Sequence, residues 1–331
     1  MRTITIATKG HRQWMGIPSI TRAPNGRLWA AFYSGGPKEP DISNHILFTT
    51  SDDGRRWSEP TMIVDPPGSI RAYDPCVWHD PQGRMWLFYN RACLDTGEYT
   101  VWAMVTPDAS AAAPVWAQHR RIDLGVAFAF RLNKPTVLSD GTWLLPVTWA
   151  RRAPEGWFAG PGQLQGVAIS TDDGETWSLH GAVEAPEWAL ENMIVAPQDA
   201  GAPLTMLIRT GSGVIWCSLS HDGGRTWSES VPTEIVNPGS RFFIRRLASG
   251  RLLLINTPRA DARTTLFAYV SDSGDDWTVS QSLLLDPRSR VSYPDAVQAP
   301  DGTIYAVHDH DRGGAGEIVL AIFREEEIGA A

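Results

Sequence analysis

Apolar residues along this chain come in short runs, each fenced by glycine, proline, asparagine or aspartate. Residues 28–32 (Leu-Trp-Ala-Ala-Phe), 85–89 (Met-Trp-Leu-Phe-Tyr) and 252–255 (Leu-Leu-Leu-Ile) follow the turn tripeptides Pro24-Asn25-Gly26, Pro81-Gln82-Gly83 and Ala248-Ser249-Gly250. Ser139-Asp140-Gly141, Asp199-Ala200-Gly201 and Pro300-Asp301-Gly302 continue the series. Such turns between apolar runs are hairpin signals. Their spacing of roughly 50 to 60 residues is the size of a four-stranded propeller blade. No long stretch carries apolar residues at the i, i+3, i+4, i+7 spacing of a helix. The pattern predicts an all-β chain: a six-bladed β-propeller of four-stranded antiparallel blades, forming one domain over residues 1–331. The last blade uses residues 317–323 and closes with residues 3–7, which removes free sheet edges.

A second repeat overlays the first. Ser/Thr-x-Asp-x-Gly-x-x-Trp occurs at Thr50–Trp57, Ser170–Trp177 and Ser220–Trp227, and at Val270–Trp277 without the first hydroxyl. This is an Asp-box. The aspartate accepts backbone N–H groups in a tight turn, the glycine allows an unusual backbone conformation, and the tryptophan buries a large apolar surface. These are structural jobs. The long gap between the first two boxes leaves room for a blade whose box has decayed, with Thr106-Pro107-Asp108 and Trp116 as its remnant.

Composition narrows the function classes. Fifteen tryptophans in 331 residues fit a fold that spends one on packing each blade. A net charge of −8 argues against nucleic acid as a partner. No apolar run reaches transmembrane length, so no membrane partner is expected. Residues 1–10 lack an apolar signal core, which predicts a cytoplasmic protein or a trimmed leader. Cys76, Cys93 and Cys217 have no metal-ligand spacing. The His308-Asp309-His310-Asp311 run alternates, and alternation on a strand sends neighbours to opposite sides. Neither a metal nor a cofactor is expected.

If the short turns and the Asp-boxes share one face of the propeller, residues before each first strand and after each second strand converge on the other. Trp14, Arg71, Asp74, Asn133, Lys134, Glu191 and Tyr293 fall in the first set. Asp41, Arg209, Arg263, His308 and Arg312 fall in the second. An acidic protein thus collects arginines where its loops meet. Arginine grips a carboxylate or sulfate with two parallel hydrogen bonds, and tryptophan stacks on a ring face. The partner this implies is an acidic mono- or oligosaccharide.

With these residues in view, the chain resembles the sialidase superfamily, the six-bladed Asp-box propellers, over most of its length. Residues 16–20 (Gly-Ile-Pro-Ser-Ile) resemble that family's opening Arg-Ile-Pro segment. Asp41, eleven residues before the first box aspartate, resembles the general acid/base. Asp74 in Tyr73-Asp74-Pro75 resembles a second pocket aspartate. Glu191, Arg209 and Arg263 resemble the glutamate and two of the three carboxylate-binding arginines, and Tyr293 resembles the nucleophile. Where the family has its first arginine, this chain has Gly16; Arg12 and Arg71 are the sequence candidates to fill the gap.

Three functions stay open at this level. A retaining exo-glycosidase of sialidase type with an altered substrate would use Tyr293 as nucleophile, Glu191 as its base and Asp41 as acid/base. A lyase acting on a uronic-acid glycoside by β-elimination would use an Arg or Asn133 at the carboxylate and a Tyr or His base, with Lys134 and His308 fitting that chemistry. A non-catalytic glycan-binding propeller is the third, since fold alone does not imply activity.

Overall fold

The computed structural model describes residues 1–111, 113–153, 162–199, 201–274 and 277–329. Ala200 of the predicted fifth turn and Asp275 and Asp276 of the last Asp-box lie outside them. The strands in chain order are β1 (Arg2–Thr8), β2 (Met15–Arg22), β3 (Leu28–Ser34), β4 (His45–Ser51), β5 (Thr61–Val64), β6 (Ile70–His79), β7 (Met85–Cys93), β8 (Tyr99–Thr106) and β9 (Ala117–Ile122). Then come β10 (Phe128–Phe130), β11 (Thr136–Val137), β12 (Trp143–Ala150), β13 (Leu164–Ser170), β14 (Ser178–Val183), β15 (Ala189–Val195), β16 (Leu204–Thr210), β17 (Val214–Ser220) and β18 (Val231–Val236). The chain ends with β19 (Phe243–Arg246), β20 (Leu252–Asn256), β21 (Thr264–Ser271), β22 (Ser282–Ser289), β23 (Val291–Gln298), β24 (Thr303–His310) and β25 (Glu317–Arg324). Among the described residues, no helix is long and apolar enough to cross a membrane.

Four sheets are four-stranded antiparallel meanders: β2–β5, β15–β18, β19–β22, and β23–β25 completed by β1. The N-terminal strand pairs with β25 from Arg2 opposite Ile322 to Thr8 opposite Glu317, so the first and last segments share one sheet. The stretch between β6 and β14 departs from the sequence expectation. Instead of two separate four-stranded blades, it forms one nine-stranded sheet. The bridge is β10, which pairs antiparallel with β12 and, through Phe128 opposite Tyr99, parallel with β8. Three residues suffice because β8 offers a free ladder at its start, where β9 begins only opposite Val101.

The short turns repeat one geometry. Gly26, Gly83, Gly141, Gly250 and Gly302 each donate their amide to the carbonyl three residues back, at 2.9–3.1 Å. The Asp-boxes come in two registers. Ser170 and Ser220 accept the amides of Gly174 and Gly224 four residues on. In the first and last boxes the serine one residue later does this work: Ser51 takes Gly54 and Ser271 takes Gly274. The last box therefore keeps its hydroxyl despite Val270. In the first, Asp53 rather than Asp52 caps the Arg55 and Arg56 amides.

The box tryptophans pack into apolar clusters of the sheets. Trp177 packs with Trp86, Phe88 and Trp143, Trp227 joins the cluster of Leu144 and Val167, and Trp57 joins that of Leu320 and Ile322 from the closing sheet. Apolar burial of aromatic rings between neighbouring sheets is the main glue of this fold.

Candidate active site

Strands of neighbouring sheets meet, β2 against β6 and β23, and β15 against β12 and β19. Four of them carry the same irregularity. Pairing slips between Gly16 and Ser19, Tyr73 and Cys76, Leu190 and Met193, and Ser292 and Asp295. Inside each slip one residue has a positive φ: Ile17 at 58°, Asp74 at 50°, Glu191 at 54° and Tyr293 at 56°. A bulge re-aims the side chain it contains. For a residue with a Cβ the left-handed region costs on the order of 1–3 kcal/mol and persists only where the surroundings enforce it. Three of the four re-aimed side chains are a carboxylic acid, a second carboxylic acid and a phenol.

The glutamate and the phenol meet. Tyr293 donates its hydroxyl to Glu191 Oε1 at 3.0 Å. Arg209 donates Nη1 to the Tyr293 oxygen at 2.7 Å and to Glu191 Oε2, and its Nε holds the Gly239 carbonyl at 2.9 Å. Three guanidiniums surround the ring of Tyr293, with centroid distances of 4.2 Å for Arg312, 5.5 Å for Arg209 and 5.6 Å for Arg263. Burial pushes the Tyr293 phenol up to about 12, against the pull of Arg209. Burial opposes the charge on Arg209, yet Glu191 beside it holds the guanidinium well above its ordinary value. Arg263 shifts the other way, lowered by burial and by the like charge of Arg209. Among the described residues no carboxylate pairs with that guanidinium, which donates Nη2 to the Gly239 carbonyl at 3.0 Å. A cationic site lacking its anion is a site that gains from an anionic ligand.

The position left open by Gly16 is filled from the far end of the chain. A Cβ on Gly16 would lie 2.8 Å from both Cγ and Cδ of Arg312 and 3.0 Å from its Nε. Arg312 reaches this spot because Asp309 Oδ2 accepts its Nε at 2.8 Å and Ser292 Oγ accepts Nη2 at 3.1 Å. Asp309, fully buried, also takes the Ile17 amide and the Ser292 hydroxyl. Neither sequence candidate for this role does it. Arg12 lies in a groove with Trp57 and Glu59. Arg71 is buried against the Tyr73 ring at 3.9 Å and donates to Asn44 Oδ1. Trp14 flanks the site, 4.8 Å from Tyr33 and 6.0 Å from the Arg312 guanidinium, centre to centre.

On the carboxyl side, Asp74 is raised to about 8, by burial first and then by the charges of Glu39 and Glu191. Asn90 Nδ2 approaches it at 3.3 Å. Asp41 stands on the loop between β3 and β4. Its carboxylate turns back on its own loop, accepting the Ser43 amide at 2.9 Å and the Ser43 hydroxyl, and these hydrogen bonds lower it from the ordinary aspartate value. Glu39, two residues earlier, is what approaches Arg312, at 3.4 Å. The sequence analysis gave Glu39 no place in the site and Asp309 no role beyond its run with His308; the signal for both was proximity to a chosen residue.

Asn133, Lys134 and His308 were expected to touch the ligand, and the structure engages them elsewhere. Lys134 pairs with Asp295, which is fully buried and also accepts Ser19 Oγ at 2.6 Å and the Ile20 amide at 2.8 Å. Asn133 donates to the Glu191 and Asn192 carbonyls and accepts Arg241 Nε at 2.7 Å. This network ties the central strands together. His308 is fully buried and bonds Asp286 through Nε2 at 2.9 Å. Strand alternation turns it away from Asp309, its neighbour in the site. Among the described residues, no group of three His, Cys, Asp or Glu is placed to hold a metal ion.

A family model described as the BNR repeat-like domain matches residues 26–306. The chain belongs to that family. A search of curated proteins returned no match. Among solved structures, this BNR repeat-like chain is similar to the Hadza microbial sialidase Hz136, with a TM-score of 0.78 at 18% identity over 97% of this chain and 67% of that one. It is also similar to a protein of unknown function from Dyadobacter fermentans, with 0.75 at 17% over 98% of both chains. The intramolecular trans-sialidase from Ruminococcus gnavus, solved with oseltamivir carboxylate, gives 0.76 at 16% over 99% of this chain and 98% of that one. The fold is sialidase-like.

Proposed function

We propose that this protein is a retaining glycosidase that removes an acidic sugar, with Tyr293 as nucleophile and Glu191 as its base. The reading counts the nine-stranded sheet as two blades of a single six-bladed propeller. The observation that carries it is the 3.0 Å contact from the Tyr293 hydroxyl to Glu191 inside a ring of three arginines. A phenol at about 12 is a poor nucleophile at neutral pH. Proton transfer to Glu191 as the oxygen attacks the anomeric carbon removes that barrier. A neutral phenol also approaches an anionic sugar without the repulsion a carboxylate would meet. Arg209, Arg263 and Arg312 supply the charge that would hold the substrate's carboxylate. Water would then release the sugar from Tyr293 with its original anomeric configuration.

The residues that would have favoured β-elimination, Asn133, Lys134 and His308, are spent on buried hydrogen bonds. The deciding experiment is product mass and anomeric configuration after incubation with sialosides, Kdo glycosides and uronic-acid oligosaccharides. Products that together gain one water, with retention, and loss of turnover in both Tyr293→Phe and Glu191→Gln are the expected result. Products without added water that absorb in the near ultraviolet would overturn it.

A further inference from the structure

We propose that Arg290 is a positioning residue that fixes where Arg263 and Arg312 stand relative to each other, and so sets the grip of the site on an anionic ligand. The inference rests on the acidic-sugar reading and asks what holds two like charges around one ring.

Arg263 and Arg312 come from different sheets. Arg263 ends the loop between β20 and β21, and Arg312 lies on the loop between β24 and β25. Both guanidiniums nonetheless approach the Tyr293 ring, at 5.6 and 4.2 Å from its centre. Burial first, then the like charges of Arg209 and Arg312, lower Arg263 from its ordinary value. Like charges repel, so these two stay close only where the backbone beneath them is held.

The junction between two sheets does the holding. β22 ends at Ser289 and β23 begins at Val291, so Arg290 alone joins them. Its amide donates to the Arg263 carbonyl at 2.8 Å, and its own carbonyl accepts the Asp311 amide at 2.9 Å. One residue is thus bonded through its main chain to Arg263 on one side and to the residue before Arg312 on the other. The Arg312 carbonyl in turn takes the Met15 amide at 3.1 Å, next to Gly16.

Arg290 has a φ of 60° and Asp311 a φ of 46°. Glycine takes such a conformation freely, whereas a residue with a Cβ persists there only where its surroundings enforce it. Here the two side chains enforce it on each other. Arg290 Nη1 donates to Asp311 Oδ1 at 3.0 Å, and Asp311 Oδ2 accepts the Ala315 amide at 3.1 Å. The Asp311 carbonyl also accepts the Gly316 amide at 2.7 Å, which closes the loop that carries Arg312. The Arg290 side chain is 72% exposed. An ion pair that open to water adds little to stability; what it supplies is geometry, a clamp on the two left-handed residues that link Arg263 to Arg312.

The test uses the full chain as wild type, Arg290→Gly, Arg290→Lys and Asp311→Asn, each checked for folding by thermal melting. Calorimetry measures binding of free sialic acid, Kdo and a uronic acid, and of their methyl esters, in which the carboxyl carries no charge. KM and kcat are read on a glycoside of whichever acid binds. Arg290→Gly removes the clamp and keeps the backbone conformation within reach. It is expected to weaken the acid about tenfold, the worth of roughly one charged hydrogen bond. KM should rise by the same factor with kcat within about twofold, while ester affinity and melting temperature stay unchanged. Asp311→Asn, which discharges the other half of the clamp, should move the acid in the same direction. Arg290→Lys, which keeps a cation opposite Asp311, should recover most of the loss. Equal losses for acid and ester would mean a general distortion and overturn the proposal, as would unchanged affinity for the acid in both Arg290→Gly and Asp311→Asn. A wild type that binds the acid and cleaves no glycoside would refute the glycosidase reading alone, since the calorimetric loss in Arg290→Gly still decides the positioning role. A wild type that binds no acidic sugar would overturn both.

Discussion

Gly16 and Arg312 are 296 positions apart in the chain, yet the fold makes them compete for one volume, and this can be measured as a coupling energy. In Gly16→Ala the new Cβ would sit 2.8 Å from Arg312 Cγ and Cδ, against about 3.5–4.0 Å for a comfortable carbon contact. The backbone at Gly16 is not in the left-handed region, so alanine itself brings no strain. Arg312 cannot swing clear at little cost, because its head is held by Asp309, Ser292 and Glu39. Overpacking of this kind costs about 1–3 kcal/mol. Arg312→Ala breaks a buried pair, which costs about 3–5 kcal/mol in general. The lower end applies here, since Asp309 keeps the Ile17 amide at 2.9 Å and the Ser292 hydroxyl at 2.7 Å. In the double variant the obstacle is gone, so Gly16→Ala should cost close to nothing. Urea unfolding of wild type, both single variants and the double variant closes the cycle. The expected coupling is about 1–3 kcal/mol in favour of the double. Additivity within about 0.5 kcal/mol, the behaviour of independent sites, would refute the claim that Arg312 occupies the space an arginine at 16 would need.

Three further outcomes follow from the same geometry. Asp74, ordinarily near 3.8 and raised to about 8 by burial, binds a proton in the folded state that the unfolded chain has lost across that window, so it makes stability fall as pH rises from 4 to 8. Asp74→Asn should flatten the fall in melting temperature between pH 5 and pH 8, and an unchanged slope would contradict the raised value. Lys134→Met, which strands the buried Asp295, should destabilise by about 3–5 kcal/mol in urea while leaving calorimetric affinity for an acidic sugar intact; the reverse pattern would put Lys134 back in the site. Gly174 has φ +84°, and a Cβ there would meet the Trp86 and Trp143 rings at 2.7–2.8 Å, whereas Gly83, at φ +87°, faces open space. Gly174→Ala should therefore cost at least about 2 kcal/mol and Gly83→Ala about 1 kcal/mol, as read by thermal melting; equal losses would mean that the box glycine does not pack on the Trp86 and Trp143 rings.

The sequence alone determined the all-β class, the hairpin turns and the boxes, because each depends on residues within a few positions of one another; the closing pair of first and last segments, far apart in the chain, was legible only through the repeat. Turn glycines, alternating burial and local capping are short-range physics, and they read directly from spacing. It also placed Glu191, Arg209, Arg263 and Tyr293 in converging slots, through the repeat and the resemblance together. What it could not supply was partner choice across the ring. Lys134 looks like a ligand residue until Asp295, 161 positions away, claims it. His308 and Asp309 are adjacent in sequence and opposite in space, one bonded to Asp286 and the other to Arg312. Asp41 and Glu39 differ by two positions on one loop, and only the fold of that loop turns one inward on Ser43 and the other toward Arg312. The gap at Gly16 is filled by Arg312 for the same reason: closing the ring brings β2 against β23 and β24, and the space left by a missing side chain is taken by whichever neighbour is long enough and has a carboxylate to hold it.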